Sequence, residues 1–395
     1  MKANIGRSYK LKFIIIFLLV SFNLRMSFAA ADPLLVFLMR DLNLSVGDSS
    51  LFGLLPIMSL GIAAPLGARL VHTIRPRLLI VYALLFAIIG VIWRSYGGIT
   101  GLYSGTMAIG LGLGITGSVI LGIVKQVFPH ELPTLMGAYT ACVSLGTSVG
   151  SGAADPIALL MGGWKNGLLF WALPLLLSVI LWGWLICSKH PPDVKQNTLN
   201  ARIAPLLKQR KAWDVSLFYL FRVAGAWLLT VWLATLMRRR GLPLVEAGLV
   251  LAVATACQIP SALMTNALSK WIGNRLKLLI VVIPLSVACC WALLEGALSL
   301  WPLFSAGFGL SIGCIFSIGM TLIVVNSADE ASTVALSGMA QGLGFIAGGL
   351  LAWGASFGMN SPRADLWIGL FYTVFALSGL YFGARCERKG QVSTN

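Results

Sequence analysis

Long apolar runs alternate with short polar gaps along the whole chain. Most of the runs approach or exceed the ~20 residues that an α-helix needs to cross the hydrocarbon of a bilayer. The gaps contain charged residues and turn formers such as glycine, proline and asparagine. The pattern predicts twelve membrane-spanning helices, at 13–39, 49–70, 77–93, 99–125, 132–160, 167–187, 213–237, 244–270, 274–297, 300–326, 332–357 and 364–386.

The composition also favours a membrane protein. Hydrophobic residues make up 58% of the 395 residues and charged residues 11%, whereas a soluble domain averages about 25% charged residues. The mean hydropathy is +0.87. The first run imitates a secretion signal, because basic residues precede it and it contains Ala29-Ala30-Ala31. It continues to Met39, and its removal would leave an odd number of spans, so we expect it to be retained.

The net charge of +16 comes from basic residues whose positions along the chain indicate how it is oriented in the membrane. The basic residues lie in the gaps between runs, and not on one face of a soluble module as nucleic-acid binding requires. If the N-terminus is inside, twenty lysines and arginines fall on the inner side and seven on the outer side. Basic residues are enriched on the cytoplasmic side of membrane proteins. We therefore expect a multi-pass protein of a bacterial cytoplasmic (inner) membrane, with both termini in the cytoplasm.

The longest polar connection divides the runs six and six. It predicts an N-terminal six-helix bundle at 1–187, a cytoplasmic linker at 188–212 and a C-terminal six-helix bundle at 213–395. The halves echo each other weakly, since Arg25 in the first run corresponds to Arg222 in the seventh. We predict an all-α membrane protein of two pseudo-symmetric six-helix bundles, with a solute site near the middle of the membrane between them.

Arg25 and Arg222 lie inside predicted spans, and we expect both to bind the solute. A guanidinium keeps its proton, and placing it at the centre of a span costs at least about 2.5 to 3.5 kcal/mol on insertion scales. It should therefore face water or a partner. In a central cavity, the forked donors of both arginines would bind the negative end of a solute. The alternative is that one or both only hold helices together through carbonyls or acids.

Asp32 is the candidate for coupling transport to an ion. It follows Arg25 by seven residues, which in a continuous helix is two turns, or about 10.5 Å, along roughly the same face. Asp32 would then neutralise Arg25 or carry a coupling proton. The alternative is that it precedes Pro33 as part of a structural kink.

Four further polar residues lie within the spans, and we expect them to orient the solute by hydrogen bonds. They are Asn23, Tyr139, Gln258 and Gln341. The alternative for each is an ordinary hydrogen bond between helices. We expect Trp227 to form part of the cavity wall.

The sequence predicts neither a metal site nor a bound cofactor. The three histidines never pair, the seven cysteines show no ligand spacing, and no glycine cluster has the features of a phosphate loop. Clustered catalytic residues at one membrane face are also missing, so we do not expect an enzyme.

The chain resembles the major facilitator superfamily over nearly its whole length. The resemblance rests on twelve spans in two halves, the short basic turn at 67–77 and the long central linker. Three passages resemble its cyanate permease and 2-nitroimidazole transporter branch more narrowly: Leu24-Arg25 with Pro33-Leu34-Leu35, 125–139 with Phe128-Pro129-His130, and Ala335-Leu336-Ser337-Gly338-Met339-Ala340-Gln341. The resemblance implies secondary transport of a small solute without ATP hydrolysis, with the first, fifth, eighth and eleventh helices lining the pore.

The chain departs from the superfamily at two places. Val71 and Ile74 stand where an Asp and a Gly are usual, so we expect Arg75 and Arg77 to build the cytoplasmic latch differently. Ser151 stands where the antiporter motif has a proline, which weakens an assignment as an exporter.

We therefore predict a secondary active transporter that moves a small organic anion, or a cyanate- or nitro-type solute, by alternating access. Coupling to a proton or a counter-anion is required for accumulation. We expect a monomer whose partners are the small-molecule substrate and the lipid bilayer. Two alternatives stay open: a proton-antiporting multidrug exporter of neutral or cationic compounds, and, from another class, a membrane receptor that does not transport.

Overall fold

A computed structural model describes residues 7–42, 46–188, 198–387 and 390–394. Within these ranges the regular structure is helical, apart from one isolated bridge between Ser327 and Val392. The helices are α1 (Arg7–Ala29), α2 (Leu35–Asp41), α3 (Val46–Leu70), α4 (Pro76–Tyr96), α5 (Gly98–Val127), α6 (Leu132–Leu160), α7 (Trp164–Phe170), α8 (Ala172–Cys187), α9 (Arg210–Arg239), α10 (Leu244–Ile272), α11 (Arg275–Glu295), α12 (Trp301–Val325), α13 (Glu330–Ala355) and α14 (Ala364–Cys386).

The prediction of twelve spans is confirmed. Ten stretches of the described chain are long and apolar enough to cross a membrane, and α3 and α6, with 25 and 29 residues, complete the set. Two predicted runs contain two helices each. The first run breaks between α1 and α2, where Pro33 cannot donate a backbone hydrogen bond, and the sixth run contains α7 and α8.

The helices form two bundles of six spans, α1–α8 and α9–α14. We call the end at which α8 ends and α9 begins the linker end, and the opposite end the far end. Glycines allow the two bundles to approach closely. A Cβ atom on Gly61 of α3 would lie 2.5 Å from Ile346 Cγ1 of α13, and one on Gly137 of α6 would lie 2.5 Å from the carbonyl oxygen of Ala262 in α10.

Hydrogen bonds close the linker end between the two bundles. Lys125, in the last turn of α5, donates to the carbonyl oxygen of Val324 at 2.6 Å and to that of Ser327. We call this set the Lys125 latch. The latch predicted from Arg75 and Arg77 does not form these bonds; Arg77 donates to the Tyr9 hydroxyl of its own bundle at 3.1 Å and lies within electrostatic reach of Glu330 at the start of α13 in the other bundle.

The C-terminal segment 390–394 adds a strand-like strap to the same place. The N–H of Val392 donates to the carbonyl oxygen of Asn326 at 2.6 Å, and the N–H of Ala328 donates to that of Val392 at 2.9 Å. The side chain of Val392 is fully buried. The turn between α12 and α13 is therefore held by α5 on one side and by the C-terminal strap on the other.

Candidate functional site

A cavity of about 390 Å³, including the space open to solvent, lies between the two bundles near the middle of the spans. Its thirteen lining residues come from α1, α3, α5 and α6 of the first bundle and from α9, α12 and α13 of the second. The resemblance predicted that the first, fifth, eighth and eleventh spans line the pore. The eighth, α10, contributes none of the described lining residues, which are Leu24, Arg25, Leu60, Leu113, Gly114, Gly117, Tyr139, Val143, Tyr219, Phe316, Met320, Gln341 and Phe345.

Close packing of α1 on α6 turns Arg25 towards this cavity. A Cβ atom on Gly146 would lie 2.0 Å from the carbonyl oxygen of Phe22, and one on Gly150 would lie 2.4 Å from that of Met26. The two glycines therefore fix which face of α1 meets α6. Arg25 lies on the next face of the helix, is only partly buried and lines the cavity.

The guanidinium of Arg25 meets aromatic rings of the opposite bundle. Its Cζ atom lies 5.7 Å from the ring centroid of Trp227 on α9 and 5.8 Å from that of Phe345 on α13. Both distances are within the range of a cation–π interaction. Trp227 thus lies beside Arg25, as expected of a cavity wall, although it is not among the residues that line the cavity directly.

Arg222 lies behind the wall of the cavity. Its Cζ atom is 4.4 Å from the ring centroid of Tyr219 and 4.3 Å from that of Phe316, and both rings line the cavity. Arg222 itself lines another pocket, of about 350 Å³, inside the second bundle. Its Nε atom is buried and has no hydrogen-bond partner among the described residues. Its charge lies within electrostatic reach of Arg25 at the cavity.

Tyr139 and Gln341 supply polar groups to the cavity. Tyr139 is 4% exposed, and its ring stacks on Phe17 with a centroid distance of 6.0 Å. Gln341 is also buried, and its Nε2 atom donates to Ser337 Oγ one turn earlier on α13, at 2.6 Å. These bonds and contacts hold both side chains in fixed orientations at the cavity wall.

The structure places Asn23 and Gln258 away from the cavity. The amide of Asn23 donates to Ser178 Oγ at 3.0 Å and to the carbonyl oxygen of Pro174 at 3.3 Å, which ties α1 to α8. Gln258 accepts a hydrogen bond from Ser144 at 3.5 Å across the α6–α10 contact. Neither residue is among the described lining residues, and the hydrogen bonds of both join neighbouring helices.

Asp32 does not have the predicted relation to Arg25. Because α1 ends at Ala29, the two residues are not joined by two turns of helix. Asp32 lies in the turn that precedes α2, and its side chain is exposed. It interacts electrostatically first with Arg94 and then with Arg25, which places it at the far-end approach to the cavity.

Arg94 is the charged residue that the sequence did not single out. It is 1% exposed in α4 and donates to the carbonyl oxygen of Ser27 in α1 at 3.0 Å. Its Nε and Nη2 atoms have no hydrogen-bond partner among the described residues. In the sequence Arg94 is indistinguishable from an arginine at the end of a span that extends to the interface.

Helical spacing in the sequence could have pointed to two of the aromatic residues that line the cavity. Tyr219 precedes Arg222 by three positions and Phe345 follows Gln341 by four. Each therefore lies on the same helix face as a residue already predicted to bind the solute. Phe316 and Met320 are four positions apart on α12, but no residue of that helix had been singled out as a candidate for the site. Among the described residues, no group of three or more His, Cys, Asp or Glu is placed to hold a metal ion.

Two bundles of six spans around a central cavity are the architecture of a membrane transporter. The chain matches the Major Facilitator Superfamily over residues 17–352, and the protein belongs to that superfamily. It is therefore a multi-pass membrane transport protein for a small-molecule substrate and not an enzyme.

Two bacterial transport proteins and one solved structure are similar to this chain over most of its length. The cyanate transport protein CynX of Escherichia coli (strain K12) is 25% identical over 341 residues, which cover 86% of this chain and 88% of CynX. The 2-nitroimidazole transporter of the same strain is 27% identical over 335 residues, 83% of each chain. The solved structure of the human organic anion transporter MFSD10 (TETRAN) superposes with a TM-score of 0.75 at 14% identity, covering 96% of this chain and 100% of that one. That likeness shows the fold alone. The resemblance to the cyanate and nitroimidazole branch is confirmed.

Proposed function

We propose that this protein is a secondary active transporter that carries a small organic anion across the cytoplasmic membrane by alternating access. The observation that carries the proposal is the position of Arg25. It lines a cavity between the two bundles, and the described lining residues include no aspartate or glutamate. A solute with one negative end would therefore meet a fixed positive charge with forked donors at the depth where it is held.

The same charge disfavours a cation exporter. A cation at this site would lose its hydration shell beside Arg25, with Arg222 adding like charge from behind the wall. Compensation would require a carboxylate in the cavity, and the described lining residues offer none. The names of the two bacterial relatives, which describe cyanate and nitroimidazole transport, support a small electron-rich solute.

The distribution of basic residues supports a cytoplasmic linker end and cytoplasmic termini. In that orientation the Lys125 latch closes the cytoplasmic side, and solute enters the cavity from the far end. We keep 1–187 and 213–395 as the two moving bundles, 188–212 as their linker, and a monomer as the working unit. Alternating access then requires the latch to open while the far end closes.

Asp32 is our candidate for coupling. It is exposed on the far-end side and lies within electrostatic reach of both Arg94 and Arg25. A proton bound there would change the field at Arg25, so binding of proton and anion would be linked, and linkage of this kind is reciprocal. A site with equal affinity on both sides and no linkage would not accumulate solute.

Thermal unfolding of the purified protein with added solutes tests the proposal. A ligand at 100 times its dissociation constant stabilises the folded state by about 2.7 kcal/mol. We expect stabilisation by members of a panel of small carboxylates, cyanate and 2-nitroimidazole, and none by cationic drugs. Stabilisation by the drugs alone would contradict the proposal.

Arg25→Ala identifies the site. We expect the variant to lose both the anion-induced stabilisation and anion uptake into proteoliposomes. The matched control is Arg202→Ala, which removes an exposed arginine outside the spans and should leave both properties intact. Normal uptake by Arg25→Ala would show that the cavity arginine does not bind the solute.

A further inference from the structure

The wall of the central cavity is aromatic on several sides. Four of the thirteen described lining residues are aromatic, and they come from both bundles: Tyr139, Tyr219, Phe316 and Phe345. The Tyr219 and Phe345 rings meet edge to face, with centroids 5.8 Å apart and planes at 89°. Aromatic pairs prefer edge-to-face or offset contacts of this kind, and a flat π system in the cavity could make the same contacts with these rings.

The same rings restrict how an anion can reach the arginines. Tyr219 and Phe316 lie within 4.4 Å and 4.3 Å of Arg222 Cζ, so they separate most of that guanidinium from the cavity. Arg25 is the arginine that lines the cavity itself. The cavity therefore offers one accessible forked donor, which suits one carboxylate-like group and not a dianion.

The position of the rings favours a solute with a ring of its own. A three-atom anion such as cyanate, held at Arg25, would touch few of the aromatic residues that line the cavity. A six-membered ring with one anionic substituent can contact several of them while the substituent meets Arg25.

We propose that the preferred solute is a planar aromatic or heteroaromatic monoanion, with its anionic group on Arg25 and its ring against Phe345, Phe316 and Tyr139. This inference rests on the proposed function, because it names the solute class of the same cavity. Tyr139 and Gln341 supply hydrogen-bonding groups for polar ring substituents. The ring–ring contacts discriminate by shape and electron distribution, and Arg25 discriminates by charge.

Two carboxylates of nearly equal size separate the contribution of the ring from that of the charge. Benzoate is flat and aromatic, whereas cyclohexanecarboxylate has the same charge and a puckered saturated ring. Aromatic pairs contribute about 0.5 to 1.5 kcal/mol each beyond their buried area, and 1.4 kcal/mol is a factor of ten in affinity. We expect benzoate to bind about tenfold more tightly than cyclohexanecarboxylate, and phthalate and cyanate to bind more weakly than benzoate, as measured by thermal shift and by calorimetry on the full-length protein.

Phe345→Leu tests where the preference arises. The variant keeps an apolar side chain but removes the ring, so we expect the ratio of benzoate to cyclohexanecarboxylate affinity to fall to about two, with cyclohexanecarboxylate affinity unchanged. Phe316→Leu provides a second variant in case the first does not fold. The control is Phe371→Leu on α14, whose ring packs on Trp367 and Phe375 and does not line the cavity; it should keep the wild-type ratio.

The outcomes separate this inference from the proposed function. Equal affinity for the two carboxylates, or tighter binding of cyanate or phthalate, overturns the aromatic preference and leaves an anion transporter. Binding of none of these anions to the folded protein overturns both. An unchanged ratio in both phenylalanine variants also overturns the inference, because the rings would then not be what recognises the solute.

Discussion

Arg25 and Asn23 stand two positions apart on α1 and have different roles because the helix separates them. An α-helix turns by about 100° per residue, so two positions place side chains about 160° apart. Arg25 lines the cavity, whereas Asn23 is fully buried against α8 and donates to acceptors there. One side chain therefore faces the candidate site, and the other holds the first bundle together.

Asn23→Leu should lower stability and leave solute binding unchanged. The substitution removes the bonds to Ser178 and to the carbonyl oxygen of Pro174, and hydrogen bonds between membrane helices contribute about 0.6 kcal/mol on average, up to about 1.7. Thermal unfolding should show a loss of this order. Ser178→Ala removes the partner, so the double variant should lose less than the sum of the single losses. A tenfold loss of solute affinity at unchanged stability would place Asn23 in the site.

Single residues also show how far sequence predicts a site. Arg25, Tyr139 and Gln341 were singled out by their depth in a span, and the structure places all three at the cavity. Depth does not reveal the rotation of a helix, which packing against its neighbours decides. For that reason Asn23 and Gln258, at similar depths, point elsewhere. The spacing argument for Asp32 failed for another reason, because it assumed that α1 continues beyond Ala29.

Whole elements were predicted better than side chains. The twelve apolar runs correspond to twelve spans, because the number of consecutive apolar residues that a bilayer requires can be counted from the sequence. Glycine clusters allow membrane helices to pack closely, and in α6 they do so against α1. Which helices they bring together required the structure, since a small residue marks a close contact without identifying the partner.

Gly146→Ala should disturb the α1–α6 pair. Its Cβ atom would lie 2.0 Å from the backbone carbonyl oxygen of Phe22, and backbone cannot yield as a flexible side chain does. Overpacking of this kind typically costs about 1 to 3 kcal/mol, so we expect a clear loss of thermal stability.

The matched control for Gly146 lies on the same helix. Gly152→Ala adds its methyl group to open space, with no atom within 4 Å, and alanine is favoured over glycine in a helix by about 0.5 to 1 kcal/mol. Gly152→Ala should therefore be neutral or stabilising in the same unfolding measurement. Equal behaviour of the two variants would show that α1 and α6 do not depend on this contact.

At the scale of the whole molecule, the proposed alternating access requires an equilibrium between two arrangements of the bundles. The structure shows the arrangement that is closed at the linker end, where the Lys125 latch joins α5 to the turn after α12. The sequence predicted the two bundles, but not this latch, because its acceptors are backbone carbonyls that carry no sequence signal. The backbone carbonyl oxygens of Val324 and Ser327 would accept these hydrogen bonds even if other side chains stood at these positions.

Lys125→Met should shift this equilibrium towards opening of the linker end. The substitution keeps most of the apolar stem and removes the donors to the carbonyl oxygens of Val324 and Ser327. Hydrogen bonds to a charged group contribute about 1.5 to 3 kcal/mol each, and 1.4 kcal/mol changes an equilibrium tenfold. We expect hydrogen–deuterium exchange to rise at least tenfold in the turn 326–329 and in the C-terminal strap 390–394, because the strap is held by that turn.

Lys270→Met is the control for the latch, because Lys270 is exposed in the last turn of α10 and should leave exchange unchanged. Global destabilisation would raise exchange in every span, whereas loss of the latch should raise it only at the linker end. Wild-type exchange in the turn and the strap of Lys125→Met would mean that other contacts between the bundles hold this end closed, such as the glycine-lined α3–α13 contact and the 2.7 Å hydrogen bond from Asn266 in α10 to Thr134 in α6. In that case the loss of the Lys125 hydrogen bonds would not limit the opening of this end.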